Sequence, residues 1–404
     1  MKSLVSILLV TSVVLASDIP QQIHVASGTV PGSIVFTWST RSSTPTSEVK
    51  VSSGSTWTTY TGSSRPFKDG TNAWVIHAVA AQLTPGGKYS YEVGSSSTGF
   101  TSSYSLAVPS DSAATNILLF GDLSTAQNGA STWNDIKGIA KNLNVQAMVV
   151  CGDMAYDLSS QSSTVGDGFM NDIQPLAQYI PFMVSAGNHE TSDNYYNYLT
   201  RFDMPNTKYY YTFTAGLVRF VAIHTEAFLT EVDMLPDMLP FIQGVLNRSA
   251  ADKLKYPWLV VFGHRPMYCS SKAKADACGP EADTLKKYLE SWFKQYKVDL
   301  YVNGHVHNYQ RTAPVYQGKV TSAYDAYASS YVNPQSTIYV TTGGPGSDGT
   351  NSKVDYADAP NWLIAGEENY SFSVMNVYNS THLYWQQLKS KDNSLSDSFW
   401  IIKT

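Results

Sequence analysis

Five times along the middle of the chain, an unbroken apolar run stops at a glycine and hands over to a carboxylate, an amide or an imidazole. Asn116–Asp122 reads NILLFGD, Val149–Tyr156 reads VVCGDMAY, Pro181–Glu190 reads PFMVSAGNHE, Pro257–His264 reads PWLVVFGH and Val298–His307 reads VDLYVNGHVH. Short apolar runs bounded by turn residues read as buried strands, and ligands of open α/β sheets collect at the ends of such strands. The pattern predicts one sheet edge supplied with metal-ligand side chains. Helical spacing over Ser131–Leu143 and Glu281–Tyr296 falls between these runs, and Leu217–Ile223 reads as a further core strand ending at His224. Strands alternating with helices argue an α/β core. Phe372–Trp385 alternates again and closes the sheet. The glycine-rich Thr341–Gly349 is a turn and not a phosphate cradle, since no Gly-Lys-Ser/Thr follows it.

The first quarter of the chain has another texture. Ile34–Trp38, Ala73–Val79 and Lys88–Val93 are short alternating or β-branched runs between Gly, Ser, Thr and Pro turns, which predicts an all-β unit. Leu83–Tyr91, LTPGGKYSY, resembles the corner of a fibronectin-III-like sandwich, where a tyrosine pins the connection between sheets. His24 and His77 in this region read as structural. The expected fold is two-domain: an N-terminal all-β fibronectin-III-like sandwich over 18–108, a polar joint PSDSAAT over 109–115, and a C-terminal α/β domain over 116–404.

The length of 404 residues fits two domains, and a net charge of -5 with pI near 5.9 leaves no basic footprint for nucleic acid. Lys2, the apolar Leu4–Leu15 and the small Ala16 and Ser17 read as a signal peptide over residues 1–17, too short to anchor in a bilayer. No later run is long enough to span a membrane, and the C-terminal SDSFWIIKT lacks a lipid-anchor tail. The expected location is outside the cell or in a lysosome-like compartment. Asn247-Arg-Ser, Asn369-Tyr-Ser and Asn379-Ser-Thr are glycosylation acceptor sequences that fit that route. Cys269 and Cys278 flank a polar loop that a disulfide can close for about 2–3 kcal/mol. Cys151 reads as a buried free thiol.

Taken in order, Gly121-Asp122-Leu123-Ser124, Gly152-Asp153-Met154-Ala155-Tyr156, Gly187-Asn188-His189-Glu190, Val261-Phe262-Gly263-His264 and Gly304-His305-Val306-His307 resemble the motif series of the purple acid phosphatases, within the calcineurin-like metallophosphoesterases. Tyr156 is the discriminating letter. The resemblance covers nearly the whole chain. It implies a catalytic domain with a β-sandwich core flanked by helices. In it Asp122, Tyr156 and His307 hold one ion, Asn188, His264 and His305 hold the other, and Asp153 bridges them. Carboxylates and a phenolate suit Fe(III), and the second set suits a divalent Zn, Fe or Mn. The reaction implied is hydrolysis of a small phosphate monoester at acidic pH by a metal-activated water or hydroxide. A phosphodiesterase on the same core is the alternative, and a secreted binding protein without catalysis is a more distant one.

The resemblance makes His189 an outer-sphere donor to the phosphoryl oxygens or the leaving group. Three departures stand out. Ser124 replaces a glycine, Gln310 replaces a glutamate and so removes a charge, and Arg265–Pro280 lacks a further substrate histidine. Lys274, as an electrostatic clamp, and His224, as an auxiliary donor, are the expected substitutes. Lys272 lies in the same loop as Lys274. No ligand is expected from the sandwich.

Overall fold

The computed structural model describes residues 19–44, 46–325 and 329–404; the signal-peptide reading lies outside them. Two antiparallel sheets form the N-terminal unit. Gln21–Ser27, Ser33–Thr40, Asn72–Gln82 and Ser63–Asp69 make one. Thr56–Thr61, Glu48–Ser53 and Lys88–Ser95, with Gly99–Phe100 and Tyr104–Ala107, make the other. Alternation along these strands puts Ile23, Val25, Phe36, Trp38, Val51, Tyr91 and Val93 into a shared core, and chain pleat requires no more than that. The corner is present: the Tyr89 hydroxyl accepts from the Thr84 amide at 3.0 Å.

The sandwich is tied to the rest of the molecule by buried polar contacts. Asp167 accepts from Asn72 Nδ2 at 3.0 Å, from Trp74 Nε1 at 2.8 Å and from Arg201 at 2.8 Å. Tyr91, buried in the sandwich, donates to the Gln178 carbonyl at 2.7 Å. Each bond satisfies a group that could not otherwise be dehydrated cheaply.

Two seven-stranded mixed sheets form the second unit. One runs Phe182–Ser185, Val145–Cys151, Thr115–Phe120, Ser371–Val377, His382–Lys389, Leu395–Ile402 and Ser330–Val332. The other runs Tyr211–Ala215, Val218–Ala222, Trp258–Phe262, Leu300–Asn303, Ile338–Thr342, Tyr309–Thr312 and Leu363–Glu367. Strands 115–120, 145–151 and 182–185 are parallel, as are 218–222, 258–262, 300–303 and 338–342. Helices Ala130–Asn142, Thr164–Ala177, Leu235–Leu246 and Ala282–Tyr296 pack their apolar sides onto the sheets. Because the strands carrying the five motifs are parallel within each sheet, their C-terminal ends lie together. The stretch Phe372–Trp385, read as one alternating segment, is a hairpin that turns at Tyr378–Thr381. No helix among the described residues is long and apolar enough to cross a membrane.

His77 stays within the sandwich, while His24 lies where it meets the second unit, edge-on to Phe202 at 5.6 Å. His24 donates Nδ1–H to the Gln22 carbonyl at 2.8 Å. His77 lies between the Thr40 and Ser47 hydroxyls and stacks on Trp38. Burial pushes each down to about 4. The unfolded chain, with histidine near the ordinary 6.5, therefore binds more protons between those values, and stability is lost as pH falls through that window. His24 alone should remove about 2 kcal/mol between pH 7 and pH 5. Urea midpoints at the two pH values check this: His24→Gln should flatten the dependence, and an equal pH dependence in the variant would assign the loss elsewhere.

Candidate metal centre

Each motif places its donors two to five residues beyond a strand, and several of these sit in an uncommon backbone conformation. Asp122, Asp153, Tyr156 and His305 all have positive φ, between 51° and 66°. For non-glycine residues this costs on the order of 1 kcal/mol or more each, and it persists only where neighbours fix it. Here they do. The Asp122 amide donates to the Gly152 carbonyl at 3.0 Å, and the His305 amide donates to Asp122 Oδ2 at 2.8 Å. Glu190 accepts from the amides of Asp153, Met154 and Gly187 at 2.8–2.9 Å, clasping two motif loops together. The glycines leave room for this. A Cβ on Gly187 would stand 2.3 Å from Asp153 Oδ1, and one on Gly152 would stand 2.6 Å from the His264 ring.

The donor atoms fall into two groups. In the first, Tyr156 Oη donates to Asp122 Oδ1 at 3.2 Å and lies 3.1 Å from His307 Nε2, which is 3.4 Å from Asp122 Oδ1. In the second, His264 Nε2 lies 3.1 Å from each of Asn188 Oδ1, His305 Nδ1 and Asp153 Oδ2. Asp153, His264 and His305 alone already meet the spacing of a metal site. The remaining ring atoms are fixed from outside. The Cys151 carbonyl can only accept, so His264 Nδ1 carries a proton and Nε2 is the atom turned inward, offering a lone pair once a cation displaces its proton. His307 Nδ1 meets the Ser347 hydroxyl at 3.0 Å.

This packing suits cations. Asp122 and Asp153 are 0% and 1% exposed, and carboxylate, amide, phenol and imidazole atoms, all metal-ligand types, crowd within 3.1–3.4 Å of one another around them. Burial, followed by Asp122 and Asp153, drives the Tyr156 phenol well above its usual value, so only a strongly charged cation would make it a phenolate ligand. Burial opposes charge on Asp153, but His264, His189 and His305 hold its carboxyl well below the usual range. His264 moves up to about 9 because Asp153 and Asp122 outweigh the burial that would lower it.

The other expected residues separate. His189 lies at the mouth with its side chain 33% exposed; Nδ1 is bonded to Asp157, and Nε2 is 3.9 Å from Asp153 Oδ2. Its ring packs on Tyr156 at 4.6 Å. Lys274 is half-buried and close enough to His305 to help hold that ring uncharged, after burial, His264 and Arg265. Lys272 is drawn off to Asp355 and Asp358. His224 is not brought to the donor atoms. Its Nε2 is bonded to Glu231 at 2.6 Å, and it packs between Tyr195 and Tyr209. Its neighbour Thr225 does the closer work, accepting from the His264 and Arg265 amides at 3.2 and 3.0 Å.

Arg265 is a functional neighbour that the sequence reading passed over. It is bonded twice over to the buried Glu226, also to Glu281, and its Nη1 reaches His305 Nε2 at 3.1 Å. Arginine only donates, so in this arrangement His305 Nε2 accepts and the ring proton sits on Nδ1. Freeing Nδ1 to bind a metal would move that proton to Nε2, where Glu281 Oε2, 3.9 Å away, is the available acceptor. The signal in the sequence was an arginine directly after a ligand histidine. Gln310 is also more than a lost charge. Its Oε1 accepts from the Ser270 amide at 2.7 Å while its Nε2 donates to the Ser270 carbonyl and to Asn308 Oδ1, a pairing a glutamate could not complete. It anchors the loop that the Cys269–Cys278 disulfide closes. Cys151 is free and buried. Ser124 ties its loop through its amide to the Gly346 carbonyl at 2.9 Å, and the glycine-rich turn thus also carries Ser347 to His307.

Comparison with known proteins agrees with this geometry. Residues 20–107 match the family described as purple acid phosphatase, N-terminal domain. Residues 115–309 match calcineurin-like phosphoesterase, and residues 336–398 match iron/zinc purple acid phosphatase-like protein C. The chain is 28% identical to acid phosphatase type 7 of Mus musculus, over 95% of this chain and 91% of that protein. It is 30% identical to a probable inactive purple acid phosphatase 1 of Arabidopsis thaliana, over 81% of this chain and 58% of that protein. The solved structure of a purple acid phosphatase from yellow lupin seeds superposes with a TM-score of 0.84 at 21% identity. That match covers 96% of this chain and 75% of the lupin chain.

Proposed function

This chain belongs to the purple acid phosphatases, and from that premise we propose that it is a secreted enzyme hydrolysing phosphate monoesters at an Fe(III)–M(II) centre. The family carries a dinuclear metal centre containing iron. The observation that carries the reading is the division of seven donor residues into two converging groups, with Asp153 bonded into the second and electrostatically coupled to the Tyr156 of the first. We assign Asp122, Tyr156 and His307 to iron, Asn188, His264 and His305 to the divalent ion, and Asp153 to both. When bound, the ions supply Lewis acidity, neutralising phosphoryl charge and acidifying a water for attack.

The chain's own residues do the rest. Glu190 and the Asp122–His305 bond hold the two motif sets in register, so the donors are organised before any ion or ester arrives. His189, fixed through Nδ1 by Asp157, presents Nε2 toward the centre and is placed to protonate the leaving oxygen. Lys274 adds positive charge on the His305 side, where it can hold a phosphoryl oxygen. All seven donors are present, which favours catalysis over a silent relative. The Cys269–Cys278 disulfide favours an oxidising compartment.

Purified protein should contain two metal ions per chain, one of them iron, and should turn over p-nitrophenyl phosphate much faster than bis-p-nitrophenyl phosphate. The reverse preference would make it a diesterase, and a metal-loaded protein inert to both would make it a binder. Tyr156→Phe should remove the visible absorption band while the circular dichroism of the fold is unchanged. A coloured variant would show that the chromophore is some other group.

A further inference from the structure

The hairpin joining Ser371–Val377 to His382–Lys389 turns on the sequence Tyr378-Asn379-Ser380-Thr381. This turn is rigid. Trp258 Nε1 donates to the Asn379 carbonyl at 2.9 Å, the Tyr378 amide donates to the His382 carbonyl at 3.0 Å, and the Lys403 amide donates to the Thr381 carbonyl at 2.8 Å. The Asn379 side chain is oriented as well. Its Oδ1 accepts from the Thr381 amide, the Thr381 hydroxyl and the His382 amide at 2.8–2.9 Å. Its Nδ2 makes no hydrogen bond among the described residues, and the residue is exposed.

Tyr378, the residue before Asn379, belongs to a partly uncovered aromatic cluster. Tyr378, 53% exposed, lies with its ring centroid 5.4 Å from that of Trp400; Trp400 stacks on Tyr384 at 4.6 Å and meets the edge of His382 at 6.2 Å. Contiguous, partly exposed rings on a protein surface can take an occupant. A pyranose offers an apolar face of C–H bonds to a ring and a polar rim to water, which matches a half-exposed aromatic.

We propose that Asn379 carries an N-linked oligosaccharide whose first sugar packs on the Tyr378–Trp400 surface. The anomeric carbon of a lipid-linked oligosaccharide pyrophosphate bonds to Nδ2. Its bond to the pyrophosphate oxygen breaks, one amide proton is released, and the lipid pyrophosphate leaves. The other two acceptor sequences lack the same preparation. Asn369 Nδ2 is engaged with Glu367 Oε1 at 2.7 Å. At Asn247 the hydroxyl acceptor of the triplet, Ser249, is used to cap the helix Ala250–Lys255 by accepting from the Asp252 amide. Among the described residues, no ring–ring contact involves a sequence neighbour of either asparagine.

The inference rests on passage through a secretory route, so the experiment separates the two. The full chain is expressed in a glycosylating eukaryotic host twice, once with its own N-terminal segment and once behind the host's leader. Glycopeptide mapping of the second form should find Asn379 occupied. Failure of secretion with the chain's own segment alone overturns the secretory reading and leaves the site to be judged on the host-leader protein. There, an unmodified Asn379 overturns the proposal. Trimming the glycan to one N-acetylglucosamine should leave Tm unchanged, whereas Asn379→Gln should lower it by about 2–4 °C. In a Trp400→Ser or Tyr378→Ser background, Asn379→Gln should lower Tm by much less, since the sugar has lost its surface. An equal fall in every background would overturn the packing on Tyr378 and Trp400.

Discussion

Replacing Asp153 with asparagine is expected to cost about 1000-fold or more in kcat and to leave the protein with less than its full metal content. The carboxylate is the only side chain assigned to both ions. It is 1% exposed, with Oδ2 3.1 Å from His264 Nε2 and Oδ1 accepting from the His189 amide at 2.9 Å. An amide keeps the shape and can still accept the His189 bond, but it brings no charge to share between cations. A two-metal clamp is worth several kcal/mol of transition-state charge stabilisation, and about 4 kcal/mol corresponds to roughly 1000-fold. Misfolding would produce the same loss of rate, so metal-free protein supplies the control. Without ions, the surrounding histidines hold the buried Asp153 carboxylate in its charged form, so metal-free Asp153→Asn should still unfold cooperatively, at a temperature somewhat below that of metal-free wild type. Metal should then stabilise wild type far more than the variant. A variant with near-normal turnover and two ions per chain would remove Asp153 from its bridging place.

The five motifs were legible because each is local. An apolar strand, a glycine and a donor are consecutive in sequence, and parallel pairing brings their ends together without help from distant residues. The two-unit fold followed from the same periodicities. What could not be read was the support around the donors. Glu226 meets Arg265 across 39 positions, Gln310 meets Ser270 across 40, and Asp157 meets His189 across 32. No local pattern marks such pairs, which appear only once the loops are stacked. His224 shows the opposite difficulty. A histidine at a strand end looked like a site residue, but whether such a ring faces the edge or the interior depends on its neighbours, and Glu231, Tyr195 and Tyr209 hold it. The hairpin at Tyr378–Thr381 was missed because alternation continues on both sides of the turn, and no glycine or proline interrupts it.

His189→Ala is expected to slow alkyl phosphates by about 100-fold or more while sparing p-nitrophenyl phosphate, since a positioned acid contributes roughly 10²–10⁴-fold and a stable phenolate needs little of it. The geometry favours an acid over a simple anchor. Its Nδ1 is committed to Asp157, so only Nε2 faces the centre, and the ring is held against Tyr156 and partly open to an arriving ester. Asp157→Asn should therefore produce a weaker version of the same selective loss, because it loosens the ring without removing it. Lys274, proposed above as a clamp on the phosphoryl group, should behave differently: Lys274→Ala should reduce kcat/KM by a similar small factor for every ester. Rates across esters of graded leaving-group acidity distinguish the roles by slope: loss of an acid steepens the dependence, while loss of a clamp shifts it downward in parallel. A parallel fall for His189→Ala would make His189 a phosphate-binding group, and the leaving oxygen's proton would then have to come from another donor at the mouth.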